Sequence, residues 1–476
     1  MNKKTLLVGA FVAILGAAGA GGYLWHRAHQ QAEIFAAAIP VVPDLSMWPL
    51  PMRQRVEAAE RKLATAPLDG LAELARLYHA NGFFAEAAQC YAGLQKLDPG
   101  DARWFHLHAT ILAGYGDTTP ALPLWERAVA LAPEYTPARL RLADVYLKRN
   151  DFAAAAKEYR TILAEKPDEA YATLGVARCE FEAGRWAQAR QLLEPLVART
   201  NYQLGYDLIV TVYERLGMED PARAIRGRMR DSGAYRDPAD PWVDDLADDC
   251  FDVYRLSLAS GTAQRYGDIP QAFRRIQQAL DLAPNQATLH FQLGKLHAAQ
   301  RAYSKARQCF ELCTRLKPDF SDGWIQYSIM SETLGDRAAA DQATLDGLRN
   351  CPNSPGLHLQ HAQHLIRDKR HAEAIPEFEA SIRLRPNEAP AYLGLASALI
   401  ALGRREEGLA AVDGALVAEP GHPLAIGIRA FDAIETGNEL AARQWLQRAK
   451  EQPRFDRQQM SQLLATYRDR FGRAFE

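Results

Sequence analysis

Proline recurs every 34 residues along most of this chain, at positions 99, 133 and 167 and again at 284, 318, 352, 386 and 420. No other feature constrains the fold as much, because a unit of this length cannot bury its own apolar face and must stack on copies of itself. With proline at place 32 of the unit, place 8 is always small, as in Ala75, Ala109, Ala143, Ala177 and Ser260. Place 20 is equally small, as in Ala87, Ala121, Ala155, Ala189 and Ala272. Place 24 is often a large aromatic, as in Tyr91, Trp125, Tyr159, Phe310 and Phe378. Two short helices packed antiparallel account for this pattern: small residues let the helices approach closely, and the aromatics fill the next groove. Glycine near place 15 (Gly82, Gly116, Gly184, Gly267, Gly335, Gly403, Gly437) supplies the turn between them, and the proline ends the second helix.

These residues resemble the tetratricopeptide repeat (TPR) family over roughly residues 68 to 454. The resemblance implies an all-α fold, an α-solenoid in the form of a right-handed superhelix. About eleven units are expected, beginning at 68, 102, 136, 170 and 204 and, after a break, at 253, 287, 321, 355, 389 and 423. The fifth is degenerate, with Asn201 in the proline slot before it. The expected division is residues 1–30 as an anchor, 31–67 as linker and capping helix, 68–237 as one block, 238–252 as an acidic insert, 253–454 as a second block and 455–476 as a C-terminal capping helix. End helices cover the exposed apolar faces of a linear stack.

Ahead of the repeats, residues 5 to 25 carry no charge, and a helix of that length spans a hydrocarbon core of about 30 Å. Lys3 and Lys4 precede it and only Arg27 lies close behind, so the positive-inside bias leaves the N-terminus cytoplasmic and the repeats in the periplasm, held by one pass through the inner membrane. A signal peptide cleaved near Ala18 to Ala20, leaving the repeats soluble in the periplasm, is the competing reading. The remainder is nearly neutral, 56 basic against 58 acidic side chains, which argues against nucleic acid as a partner.

The break between the two runs of repeats is acidic. From Asp231 to Asp252 there are eight aspartates against one arginine, with Pro238, Pro241 and Trp242 among them. One reading makes it a linker and helix start, with Asp237 or Asp240 capping the helix of repeat six and Asp244, Asp245, Asp248 and Asp249 near its positive end. The other makes it a site for a divalent cation or a basic partner beside an exposed Trp242.

The TPR resemblance further implies that places 2, 5, 9 and 12 of each first helix face a concave groove that holds protein or peptide partners. In the first block those places give a polar, basic floor of Arg76, His79, Arg103, His106 and Arg178, interleaved with Tyr171 and Phe181. In the second they give an apolar one, Phe291, Ile325, Ile329, Leu359, Ile366, Leu393, Ile400, Phe431 and Ile434, in which Lys295 is nearly the lone cation. An apolar stripe of that kind suits an extended or helical apolar segment.

Catalytic signatures are missing from the sequence: it has no nucleophile elbow, phosphate loop or HExxH. The six cysteines lack haem or zinc spacing, and His358, His361 and His364 diverge around a helix, so no catalytic residue, cofactor or metal is expected. The expected role is a membrane-anchored scaffold for envelope assembly, secretion or complex biogenesis that works by binding. Alternatives are a scaffold for a polysaccharide or its synthase, with Tyr171, Phe181, Phe291 and Phe431 as stacking platforms, and a cytoplasm-facing regulator of a membrane enzyme or protease.

Overall fold

A computed structural model of the chain describes residues 21–114, 116, 118–200, 202–229, 238–452 and 455–475. These residues form α-helices joined by short turns, with a single 3₁₀ segment, in an all-α repeat solenoid. The first helices of the eleven repeats begin at residues 67, 102, 136, 170, 203, 253, 287, 321, 355, 389 and 423. The chain divides into two compact units, Met1–Ala283 and Pro284–Glu476. That boundary falls one repeat beyond the acidic insert, for a reason visible in the contacts of the insert described below.

The small places are where the helices meet. Ala75, Ala109, Ala143, Ala177, Ser260 and Ser328 at place 8, and Ala87, Ala121, Ala155, Ala189 and Ala272 at place 20, are all fully buried. The aromatic at place 24 then reaches the following repeat. A methyl group added at Gly175 would lie 2.5 Å from the Tyr159 ring, and one added at Gly394 would lie 2.2 Å from Phe378, so both aromatics rest on bare backbone. The turn between the paired helices needs a left-handed residue. Where the glycine is absent, Asn150, Arg301 and Lys369 still take φ of 62°, 57° and 61°, so the geometry persists without the residue that favours it. Beside this turn, Asp151, Asp268, Asp336 and Asn438 each accept a hydrogen bond from a backbone N–H of the second helix and cap it.

First helices of consecutive repeats touch, Thr136–Lys148 against Ala170–Glu182 in the first unit and Ser321–Thr333 against Pro355–Arg367 in the second. Second helices stay farther apart, so within each unit the first helices line the concave side.

Among the described residues two helices precede the repeats. Leu50–Lys62 packs on Pro67–Ala80, and Gly21–Ala38 packs on Phe84–Leu97. Residues 31–38, expected as linker, are therefore helical: Ala32 and Phe35 are fully buried, and Ala38 sits against bare Gly93. Residues 5–20 of the expected membrane segment lie outside the described residues. Among the described helices none is long and apolar enough to cross a membrane. At the other end Arg457–Phe471 covers the last repeat, burying Leu463 and Tyr467.

Candidate binding faces

The concave side of the first unit is occupied by the chain itself. Pro241–Asp244 forms one helical turn and Asp245–Asp249 a 3₁₀ segment, and together they lie across the first helices of repeats one and two. Asp249, 8% exposed, gives one carboxylate oxygen to the Arg55 guanidinium at 2.8 Å and the other to Arg76 at 2.9 Å. Asn81 donates to the Asp249 carbonyl at 2.8 Å and accepts from the Phe251 N–H at 2.6 Å, so the segment is held by its backbone as well.

Nine residues earlier, Asp240 makes the second anchor. Its Oδ2 lies 2.8 Å from His106 Nε2, and its Oδ1 accepts from the Tyr135 hydroxyl at 2.6 Å. The Trp125 indole N–H donates to His106 Nδ1 at 3.2 Å, and an indole can only donate, which fixes the His106 proton on Nε2 facing Asp240. Burial pushes the Asp240 carboxyl up, but the His106 and Tyr135 bonds outweigh it and hold the group below the usual carboxylate range. Trp242 stacks flat on Tyr135, ring centroids 3.5 Å apart at 9°, and meets His106 edge to face.

The outer side of the insert belongs to repeat six. Arg275, 3% exposed, donates to Asp248 at 2.5 Å, and Gln278 donates to the carbonyls of Ala247 and Cys250. These bonds tie repeat six to the first unit, which is why the division comes after Ala283. The expectation that Asp240 caps the helix of repeat six is corrected accordingly, and Asp237 lies outside the described residues. The helix of repeat six is capped by Asp252, which accepts from the N–H groups of Tyr254 and Arg255, while Asp240, Asp248 and Asp249 bind basic and aromatic side chains. Trp242 is half-buried in its stack, contrary to the exposed position expected of it.

Between the insert, the helix Thr136–Lys148 and the helix Val253–Arg265 a cavity of about 650 Å³ remains, lined among others by Arg141, Asp144, Lys148, Asp244, Gln271 and Arg275. Burial raises the Asp144 carboxyl, against the opposing hydroxyls of Tyr159 and Tyr171.

The expected groove residues of this unit therefore part company. Arg76 and His106 bind the insert. His79 is buried against Phe84 and Tyr91, and that burial lowers it to about 3. Tyr171 is tied to Asp144, Phe181 packs into the core around Leu193, and Arg103 folds back on Asp101. Arg178 is exposed. Sequence reasoning missed Arg55, Asn81 and Tyr135, which stand at turns and in the preceding helix, outside the four places that the repeat pattern assigns to the groove.

On the second unit Ile329, Ile400 and Phe431 are 37%, 43% and 48% exposed on first helices. Ile325, Leu359, Ile366 and Leu393 are half-buried between repeats, and Phe291 packs on Phe310 and Phe320 with Lys295 over its ring. Ile434 is fully buried within the core of the last repeat and leaves the list of groove residues, because its side of the helix faces Leu446 and Tyr467. His358 and His361 both turn to Glu377, at 2.6 and 3.4 Å, whereas His364 turns away from them to Asp341 at 2.8 Å.

Residues 112–174, 147–201 and 365–430 match one tetratricopeptide repeat family and residues 262–319 match another. Cellulose synthase 1 operon protein C of Komagataeibacter xylinus is 27% identical over 248 residues, 48% of this chain and 17% of that protein. A cellulose synthase operon protein C from the same species is 33% identical over 251 residues, 48% and 18% of the two chains. The chain thus spans less than a fifth of the length of these relatives. The TPR repeat-containing protein YpiA of Bacillus subtilis is 23% identical over 232 residues, 49% of this chain and 52% of that one. Among solved structures, the type IV pilus biogenesis factor PilW is 16% identical with a TM-score of 0.39 over 44% of this chain and 98% of its own. Yeast Tom70 is 13% identical with a TM-score of 0.38 over 84% and 95%. Period, helix pairs and family matches agree: the chain carries tetratricopeptide repeats.

Proposed function

We propose that the protein is a non-enzymatic scaffold, anchored in the inner membrane through residues 5–25, whose periplasmic repeats hold a segment of a partner protein on the concave side of the second unit. The observation that carries this reading is the exposure of Ile329, Ile400 and Phe431 on first helices. Apolar side chains left in water on the inner side of a repeat stack favour an apolar partner segment, each contributing where it is covered. Binding, and no turnover, is the expected activity.

Site-specific crosslinking in intact cells tests it. Ile329→Asp combined with Ile400→Asp leaves helicity unchanged and abolishes capture of the partner seen with the unmodified protein. Capture that survives both substitutions sinks the reading. A reporter fused after residue 476 is active only in the periplasm under this topology, and activity in the cytoplasm assigns the repeats to the other side of the membrane.

A second reading, a scaffold for a polysaccharide or its synthase, is favoured by the likeness to proteins named for a cellulose synthase operon. Of the four aromatics expected as stacking platforms, Phe431 alone is exposed, since Tyr171, Phe181 and Phe291 are engaged within the repeats. Loss of glucan retention on Phe431→Ala would favour this reading over a protein partner.

A further inference from the structure

We infer that the concave face of the first two repeats is a docking surface for an acidic, aromatic-bearing polypeptide segment of a partner, and that residues 240–249 occupy it as a built-in competitor. The inference rests on the scaffold reading but assigns a second face, with a different partner chemistry.

The contacts define what the face recognises. At one end Arg55 and Arg76 converge on a single carboxylate and Asn81 reads the backbone beside it. At the other end His106 and Tyr135 take a second carboxylate, and Tyr135 and His106 together frame a flat aromatic ring. The requirement is thus a carboxylate, an aromatic two residues on, and another carboxylate seven residues later, with helical turns between. Paired guanidinium groups and a fixed imidazole N–H select carboxylates over neutral side chains.

What fills the face is a poor core element. Among residues 240–250 only Asp240, Leu246, Asp249 and Cys250 are buried, while Asp244, Asp245 and Asp248 are exposed, Asp248 in its pair with Arg275. Most of its attachment is therefore ionic and hydrogen-bonded, and a partner segment offering the same groups replaces those bonds one for one. Like charges exposed along the segment add repulsion that an arriving acidic partner increases, which favours exchange over simultaneous binding. On the other side Arg275 donates to Asp248 and Gln278 to the carbonyls of Ala247 and Cys250, so these bonds open together with those of Asp249 when the segment leaves.

The test uses the full chain and a fluorescent peptide of residues 238–252. Asp240→Ala with Asp249→Ala frees the face while leaving its arginines, histidine and tyrosine in place. This variant binds the peptide at least tenfold more tightly than the unmodified protein does, a peptide of the same composition in scrambled order binds neither, and adding Arg76→Ala removes the gain. Hydrogen exchange gives a second measure on the unmodified protein: excess peptide raises exchange at residues 240–250 and leaves exchange in the repeats unchanged. A variant that keeps its helicity without gaining affinity, or residues 240–250 that stay protected at saturating peptide, identifies the segment as a permanent strut and overturns the inference. Doubling of mass in the unmodified protein, lost on Asp240→Ala with Asp249→Ala, assigns the face to the insert of a second copy and overturns it as well. Crosslinking lost on Ile329→Asp with Ile400→Asp while the peptide fails to bind sinks this inference alone, and the reverse pattern sinks the scaffold reading of the second unit alone.

Discussion

In the first unit the inner helices present Arg76 and His106 at groove places, and the chain covers them with its own acidic segment. In the second unit the same places carry isoleucine and phenylalanine, and Ile329, Ile400 and Phe431 remain exposed. One repeat, copied with different side chains at a handful of places, thus yields a closed polar face and an open apolar one. The contrast follows from solvation. Converging cations and a buried imidazole are expensive to leave without carboxylates, whereas a few apolar side chains at 37% to 48% exposure cost little in water.

The sharpest way to break the contrast is Asp240→Ala. It strands the His106 Nε2–H and the Tyr135 hydroxyl, both of which now reach Asp240. A buried donor left unsatisfied costs about 1–3 kcal/mol, so the pair of losses is expected to lower local stability by about 2–6 kcal/mol. Hydrogen exchange should report this at residues 240–250 and in the helix Ala102–Gly114, with the second unit unaffected. Equal loosening of both units would show that the insert stabilises the whole chain and would dissolve the distinction drawn between the faces.

The fold was legible to a degree that the faces were not. Proline spacing and the small places 8 and 20 locate every helix pair but the degenerate fifth, because backbone turns and close helix contacts accept few residue types and so leave a periodic trace. Phe291 and Ile434 show where periodicity stops being informative. Both stand at a groove place by count, yet Phe291 packs on Phe310 and Phe320 and Ile434 is enclosed, because neighbouring repeats differ in the side chains that meet them. The contacts of Asp249 with Arg55 and Arg76 span 194 and 173 residues, and no local pattern encodes a pairing of that range. The composition of the insert did carry a signal: of aspartates far in excess of what one helix cap uses, Asp240, Asp248 and Asp249 pair with His106, Arg275, Arg55 and Arg76.

A smaller effect separates the units by pH. His79 is buried and neutral in the folded first unit, its titration lowered to about 3 by burial, while in the unfolded chain it titrates near 6.5. The folded-state value is the lower one, so the contribution is complete above about pH 6.5 and is lost progressively as pH falls toward the folded value. While only the unfolded state takes up the proton, stability changes by about 1.4 kcal/mol per pH unit from this one group. Urea melts followed by hydrogen exchange at pH 7, 6 and 5 should show the first unit weakening across that range, and His79→Gln should flatten the slope. A slope that survives His79→Gln would move the effect to other groups of the first unit.

The smallest expected effect concerns two residues three apart on the helix Pro423–Glu435. Phe431 is 48% exposed and Ile434 is fully buried, yet both stand at groove places by sequence. Replacing Phe431 by Ser removes contacts that water already shares, so stability should change by no more than about 0.5 kcal/mol, the usual size for a surface substitution. Ile434→Ala is the internal control, expected to cost about 2–5 kcal/mol because it opens a void beside Leu446 and Tyr467. The near-neutral change is the informative one. A side chain that contributes nothing to folding while keeping a ring in water is available to whatever the second unit holds, and a cost near that of Ile434 would instead place Phe431 in the core and shorten the open face by its last residue.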